Sequence, residues 1–404
     1  MKRIAIVGAG YRCYDMFVKK LCEDYKDEVE FVAVCDTNIK RGEFFQSVIG
    51  ENLKLYEDFD KMLAETKPDA VLVTTVDKVH HEYIVKTLDA GIDVYSEKPI
   101  TIDQEKCKII RDAEKRSGKK ITVTFNCRFM PYFAKVKELL MTGIIGKPLT
   151  VNYEYTLNKV HGGDYFKRWH RFMENSGGMM VHKATHHFDI VNWLLDDEPI
   201  SVTAEGSRLY YGNESHPHGE RCGSCEFKSK CLSYDDLSVY PEMKELYFTP
   251  EQVDGYQRDH CVFKGDTDIY DAMSVSVKYA KGAILTYSLN LFNTDEGYTM
   301  SIVGTEGRLE ASTFFGDEEK DVIKITLNDK TKKTIELPKI ISYHGGGDLK
   351  MLSMLFGSKK IEDTLEQCAD SFDGFKSVII GIAANKSIKE GRRINVKEIL
   401  DELR

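Results

Sequence analysis

The sequence predicts an α/β chain in two parts: a doubly wound parallel sheet over residues 1–125, then an α+β domain over 126–404 with a large, mostly antiparallel open sheet. Three observations carry this. Up to residue 125, continuous apolar runs alternate with helix-like stretches, the pattern of parallel strands covered on both faces. From residue 149, runs that alternate apolar and polar residues take over, the pattern of antiparallel strands with one wet face. Between the first strand and first helix stands a Gly-x-Gly turn.

Length and composition set the bounds. A chain of 404 residues makes two domains of ordinary size, with a core that needs no stapling. Hydrophobic residues at 42% and charged residues at 30% give the balance of a soluble globular protein. A net charge of −9 argues against nucleic acid as a partner, since binding there replaces counterions with basic side chains. No apolar run reaches membrane-spanning length. The opening MKRIAIVGAGYRCY has no signal-peptide cleavage pattern and reads as a first strand. Ten cysteines without the even spacing of a secreted scaffold point to a reducing, cytoplasmic compartment.

The elements follow in order. Strands are expected at 3–7, 29–36, 69–75, 92–99 and 120–126, with helices at 78–90 and 103–117 between the later ones. In the second part, strands are expected at 149–157, 200–211, 270–280, 283–292, 298–303, 307–312 and 322–326. A helix is expected at 177–195 and a last long helix at 362–388, followed by a charged tail. A polar, cysteine-bearing insert spans about 213–262.

Gly8 and Gly10 sit where the first strand turns into the first helix. Glycine there allows a tight turn and lets a pyrophosphate approach the helix N-terminus, where free N–H groups point outward. Cys13 stands where the usual third glycine would be. Asp36 ends the second strand. An acid at that point accepts hydrogen bonds from ribose hydroxyls and repels a 2′-phosphate, so the Rossmann-type site is expected to take NAD in preference to NADP. Arg41 is near enough to leave some tolerance for NADP. Tyr11, Arg12, Thr74 and Thr75 complete the expected cofactor rim. A bare strand–helix turn is the alternative.

The motifs IAIVGAG, AVCD, VTT, AGIDVYSEKPI, NCRFMP, GIIGKP, SGGMMVHKATHHFDIVNWLL and GTEGRLE occur in an order and spacing that resembles the Gfo/Idh/MocA oxidoreductases. That family includes glucose–fructose oxidoreductase and inositol dehydrogenase. The resemblance covers nearly the whole chain. It implies oxidation or reduction of a secondary alcohol on a sugar, cyclitol or glycoside with a nicotinamide cofactor. It also implies a homodimer or homotetramer formed through the open face of the second sheet.

The resemblance further implies that the loop Glu97-Lys98-Pro99 brings Lys98 to the nicotinamide. The physics agrees: Pro99 biases Lys98 toward an extended conformation at the carboxyl end of a parallel strand, where open α/β sheets keep their ligands. A desolvated lysine loses proton affinity and serves as acid or base near neutrality. The alternative is a surface lysine in a turn.

In the stretch GGMMVHKATHHFD, residues 177–189, His182 and His186 are four apart and Asp189 lies one turn on, so a single helix would put them on one face. The family's motif has an aspartate followed four residues later by a histidine. His186 matches the histidine, and His182 stands at the aspartate position. The resemblance implies that His186, with Lys98, attends the reacting hydroxyl, while His182 and Lys183 position the substrate. A metal held by the two histidines and histidines satisfied in the core are the alternatives. His187 is expected to face elsewhere.

NKVHGGDYFKRWHRF, residues 158–172, offers His161, Asp164, Tyr165, Arg168 and Trp169, side chains that stack on sugar faces or bind vicinal hydroxyls. A charged surface loop is the alternative. Asn126 and Arg128 follow the sixth strand, where the two domains are expected to meet. In the insert, Cys222, Cys225, Cys231 and Cys261 have spacing that suits a structural zinc site, with reduced thiols or a disulfide as the alternative.

These residues predict an NAD-dependent dehydrogenase. The pattern HGGDYFKRWHR…HKATHHFD…HGGGD resembles the glycoside-acting branch of the family, with carbon 3 of a hexopyranoside as the implied position. A redox-neutral NAD-dependent glycosidase and a non-enzymatic NAD or sugar sensor are the alternatives.

Overall fold

A computed structural model of the chain describes residues 1–316, 320–340 and 343–404. The first part supplies strands β1 (Lys2–Val7), β2 (Val29–Cys35), β3 (Lys54–Tyr56), β4 (Ala70–Val73), β5 (Asp93–Ser96) and β6 (Ile121–Val123). The second supplies β7 (Pro148–Asn158), β8 (Pro199–Ser207), β9 (Ala272–Tyr279), β10 (Ile284–Asn293), β11 (Gly297–Gly304), β12 (Gly307–Phe314), β13 (Lys320–Leu327) and β14 (Lys332–Pro338). Two short strands, β15 (Ala369–Asp370) and β16 (Ile394–Asn395), close the list.

The first sheet runs β15-β6-β5-β4-β1-β2-β3. All pairs from β6 to β3 are parallel, and β15 joins β6 antiparallel. Its central strands are buried on both sides: Ile4 to Val7 and Ala70 to Val73 are all at most 1% exposed, as strands between two helical layers must be. The second sheet runs β14-β13-β12-β11-β7-β10-β9-β8-β16 and is antiparallel except for the β7–β10 pair. Burial alternates residue by residue along β9 to β12, so one face is dry and the other wet. The long helices Thr185–Leu195 and Ser371–Glu390 pack against each other, and Ser371–Glu390 also packs on β8 at the dry face.

Three departures from the expected elements have local causes. The helix foreseen at 177–195 starts only at Met179, after two left-handed glycines, and divides at Lys183 and Ala184 into Met179–His182 and Thr185–Leu195. Gly177 has φ +68° and Gly178 φ +72°, conformations a side chain resists. The last long helix starts at Ser371, because the Asp370 side chain accepts the Asp373 N–H and caps it there. The residues just before it, expected inside the second domain, form β15 on the first sheet.

The insert does more than hang from the second domain. Its turns Lys244–Phe248 and Glu251–Asp254 reach the first domain, Tyr247 at the glycine turn and Asp254 at Arg41. Leu246 is buried in a core with Ile4, Ile6, Phe17 and Phe45 of the first domain. Helix Gly347–Phe356 joins that core through Met351, Leu352 and Phe356. Among the described residues no helix is long and apolar enough to cross a membrane.

Candidate active site

The carboxyl ends of β1, β2, β4 and β5 open on one rim. Gly8 has φ +92°, and a Cβ there would lie 2.7 Å from the backbone of Thr74 and Thr75, so only glycine fits. The Thr74 hydroxyl donates to the Gly8 carbonyl at 2.7 Å. Gly10 precedes the first helical turn and has no capping side chain. The Tyr11 N–H at that helix start donates to the hydroxyl of Tyr247, from the insert, at 2.9 Å. Cys13, at the third-glycine position, is fully buried, and burial pushes its thiol up to about 12.

Asp36 accepts the amides of Ala9 and Asn38, each at 2.8 Å. Arg41 lies 3.4 Å from Asp36 and 2.6 Å from Asp254 of the insert. Arg12 donates to the buried Glu97 carboxylate at 2.9 Å, while its Nη2 is buried without a hydrogen-bond partner. A glycine cradle against Thr74, an acid at the end of β2 and an orphaned guanidinium nitrogen fit a dinucleotide.

Lys98 follows β5, with a cis peptide to Pro99. Its Nζ donates to the His182 carbonyl oxygen at 3.2 Å, which joins the first domain's rim to the second domain's glycine-led turn. Burial pulls Lys98 down to about 8. Glu97 and Asp77 work against this shift, and Lys183 and Arg12 add to it.

The break at Lys183 separates the polar residues that one helix would have aligned. His182 turns to the rim: its Nδ1 lies 2.6 Å from Asp77 Oδ2, and its ring meets the edges or faces of Tyr165, Trp169 and His170. His186 packs beside Phe125 and His344, with its Nδ1 buried and unpartnered. His187 faces the sheet and pairs through Nδ1 with the Tyr287 hydroxyl at 2.6 Å, away from the rim as expected. Burial lowers all three imidazoles well below their ordinary range. Lys183 Nζ sits 5.0 Å from the Tyr155 ring centroid.

Asp189 and Arg128 leave the set. They bond each other in bidentate fashion at 2.6 and 2.8 Å, and Arg128 also reaches Asp373. Arg128 was expected to bind substrate. Its guanidinium is instead held by two carboxylates, because a buried charge takes the partners the fold offers. Asn126 donates to Asp348, which also accepts from His344 when that ring carries a proton on Nδ1.

The second cluster lies beside His182, and several of its members already have partners. Asp164 pairs with Arg168 at 2.8 Å and with Arg258 at 2.7 Å, and those cations hold its carboxyl far below the usual range against the effect of burial. His161 bridges Glu296 at 2.8 Å and the Tyr165 hydroxyl at 3.2 Å. Trp169 stacks on His170 with ring centroids 3.5 Å apart. Asp77, Arg258, Glu296 and Tyr247 were not foreseen. One sequence signal could have found Asp77: it lies just past VTT, at the carboxyl end of β4, where open sheets bind ligands.

The zinc expectation is corrected. Cys222, Cys225, Cys231 and Cys261 are free thiols, and among the described residues no three His, Cys, Asp or Glu side chains are arranged to hold a metal. The two arms of the insert are joined otherwise. Arg221 bonds both Glu251 oxygens at 2.6 and 2.8 Å and Asp259 at 2.7 Å. The Cys222 amide donates to the Asp259 carbonyl at 2.8 Å and the Cys261 amide to the Glu220 carbonyl at 2.9 Å. Burial raises the Cys222 thiol to about 11, so it stays protonated at neutral pH.

Comparison with known proteins agrees with this architecture. Residues 2–125 match a family model described as an oxidoreductase family, NAD-binding Rossmann fold, and residues 137–396 match the oxidoreductase family's C-terminal alpha/beta domain. The chain is 34% identical to "Putative oxidoreductase YteT" of Bacillus subtilis (strain 168), over 99% of each protein. It is 29% identical to D-glucoside 3-dehydrogenase of Escherichia coli (strain K12) over 36% of this chain and 40% of that protein. The fold superimposes with a TM-score of 0.67 on an oxidoreductase from Agrobacterium radiobacter in complex with NAD+, L-tartaric acid and magnesium, at 16% identity, covering 98% of this chain and 99% of that one.

Proposed function

This chain belongs to the Gfo/Idh/MocA family of NAD-binding oxidoreductases, and on that premise we propose that it oxidises a secondary hydroxyl of a sugar or glycoside, carbon 3 of a hexopyranoside being the position. The observation that carries this reading is the Lys98–His182 contact at 3.2 Å. It sets a half-buried lysine of the nucleotide rim against the histidine-rich turn of the second domain, so a ligand between the domains meets both.

The residues have separable tasks. Gly8 and Gly10 let the pyrophosphate approach the turn, with Tyr11, Arg12, Thr74, Thr75 and the Glu97-Lys98-Pro99 loop completing the rim. Asp36 takes the adenosine ribose. Arg41, a cation beside it that could welcome a 2′-phosphate, is neutralised by Asp36 and Asp254, which supports NAD over NADP. When bound, the nicotinamide accepts the hydrogen and electron pair from the carbinol carbon.

On the substrate side, Trp169 offers a ring face for a pyranose, and Arg168 and Lys183 offer polar atoms for its hydroxyls, while Tyr165 and His161 are stacked on each other behind them and both His161 nitrogens are already bonded. Lys98, as the ammonium, donates a hydrogen bond to the reacting oxygen and stabilises the negative charge that builds there. Partial burial lowers the local dielectric and strengthens that interaction.

The test is a panel of glycosides, free sugars and inositols incubated with the full chain and NAD, followed by near-ultraviolet absorbance and product NMR. A 3-keto glycoside formed together with reduced cofactor is the expected result. Turnover of free inositols alone would move the substrate class, and no turnover of any polyol would contradict the reading.

A further inference from the structure

The site has lost one carboxylate and gained another. Where the family's motif carries an aspartate, this chain has His182. A histidine in that place takes up no proton well when it is buried among Tyr165, Trp169 and His170, since burial favours the neutral ring. Asp77 changes this. It sits on the turn Asp77–Val79 that follows β4, is 3% exposed, and places Oδ2 2.6 Å from His182 Nδ1. His186, by contrast, has no carboxylate behind it: its Nδ1 is buried without a partner.

We infer that Asp77 and His182 act as a pair in which the His182 ring, in place of Lys98 or His186, takes the proton of the reacting alcohol, with Asp77 as its positioning residue. The inference rests on the proposed reaction. A carboxylate at Nδ1 fixes the proton on that nitrogen and leaves Nε2 with its lone pair free. The His182 side chain keeps 11% of its surface exposed, so the ring is not sealed in.

The balance of the step is simple. The alcohol O–H bond breaks and an N–H bond forms at His182 Nε2. The carbinol C–H hydrogen leaves with its electron pair for the nicotinamide, and the carbon is oxidised to a ketone. The imidazolium that forms is countered by Asp77. Lys98, held to the His182 carbonyl, donates to the same substrate oxygen. Burial holds the Asp77 carboxyl well above its ordinary range, and the Lys98 ammonium works against that shift.

The alternative is a buried pair that merely ties the two domains together. Two measurements separate them. Imidazole-nitrogen NMR of the full chain without cofactor, assigned by loss of the His182 signals in His182→Asn, reads the tautomer. The expected result is a proton on Nδ1 in the native chain and a shift of proton density to Nε2 in Asp77→Asn, since an asparagine amide can donate to Nδ1. Kinetics read the role: Asp77→Asn lowers kcat by ~10²-fold or more with little change in KM, and Asp77→Glu recovers part of the loss. Thermal melts of both variants show whether they fold. An unchanged tautomer or a native kcat in Asp77→Asn, or a loss of melting temperature with kcat intact, overturns the inference. Absence of any turnover by the native chain would defeat the proposed reaction instead, and the tautomer comparison would still decide the pairing.

Discussion

Arg128 and Asp189 face each other through two hydrogen bonds of 2.8 and 2.6 Å, with side chains 2% and 1% exposed. With its guanidinium so engaged, we propose that Arg128 serves the fold rather than the substrate. Arg128→Met strands a buried carboxylate and is expected to cost ~3–5 kcal/mol of stability. The double variant Arg128→Met with Asp189→Leu should recover most of that, because the two buried charges leave together and Asp373 keeps its ion pair with Lys376. Denaturant melts check it. A single variant that melts normally but raises KM would return Arg128 to the binding site.

Asp254 reaches from the insert to Arg41 at 2.6 Å, and so sets the charge the cofactor meets beside Asp36. Asp254→Ala frees one face of that guanidinium. The ratio of kcat/KM for NAD over NADP is expected to fall about tenfold, the equivalent of ~1.4 kcal/mol. An unchanged ratio would mean that Arg41 does not address the ribose.

Lys98 gives the pH dependence its sign. Burial brings it to about 8, with Glu97, Lys183, Asp77 and Arg12 as the charged groups around it. The account needs the ammonium, present below that value and lost above it. The kcat/KM for oxidation should therefore decline as pH rises through about 8. Lys98→Arg keeps the cation and moves that limb out of range, since a guanidinium stays charged. Lys98→Met should cost ~10²–10⁴ in turnover while NAD binding persists. A native profile that rises through this region would contradict the ammonium role.

Much of this was legible because its signals are local. Gly8 and Gly10 after an apolar run, Asp36 at the end of the next strand, and Lys98 before a proline each declare a backbone need or a strand end. The site's second layer is not local. Asp77 meets His182 across 105 positions, Arg128 meets Asp189 across 61, and Asn38 meets the Pro250 carbonyl across 212. Periodicity put His182, His186 and Asp189 on one face, yet the helix divides at Lys183 and Ala184, between Met179–His182 and Thr185–Leu195, and His182 leaves that face. Spacing also suggested zinc at four cysteines, whereas ligation needs converging side chains, and the insert is joined by Arg221 and main-chain bonds.

The central claim is that this chain takes hydrogen from one carbon of a sugar ring with Lys98 at the oxygen. The most direct measurement uses a hexopyranoside carrying deuterium on carbon 3, incubated with the full chain and NAD, with the mass of the reduced cofactor as readout. Deuterium in the nicotinamide ring and a 3-keto glycoside are expected, both formed far more slowly by Lys98→Met. Reduced cofactor without deuterium, or labelled glycoside returned unchanged, would contradict it.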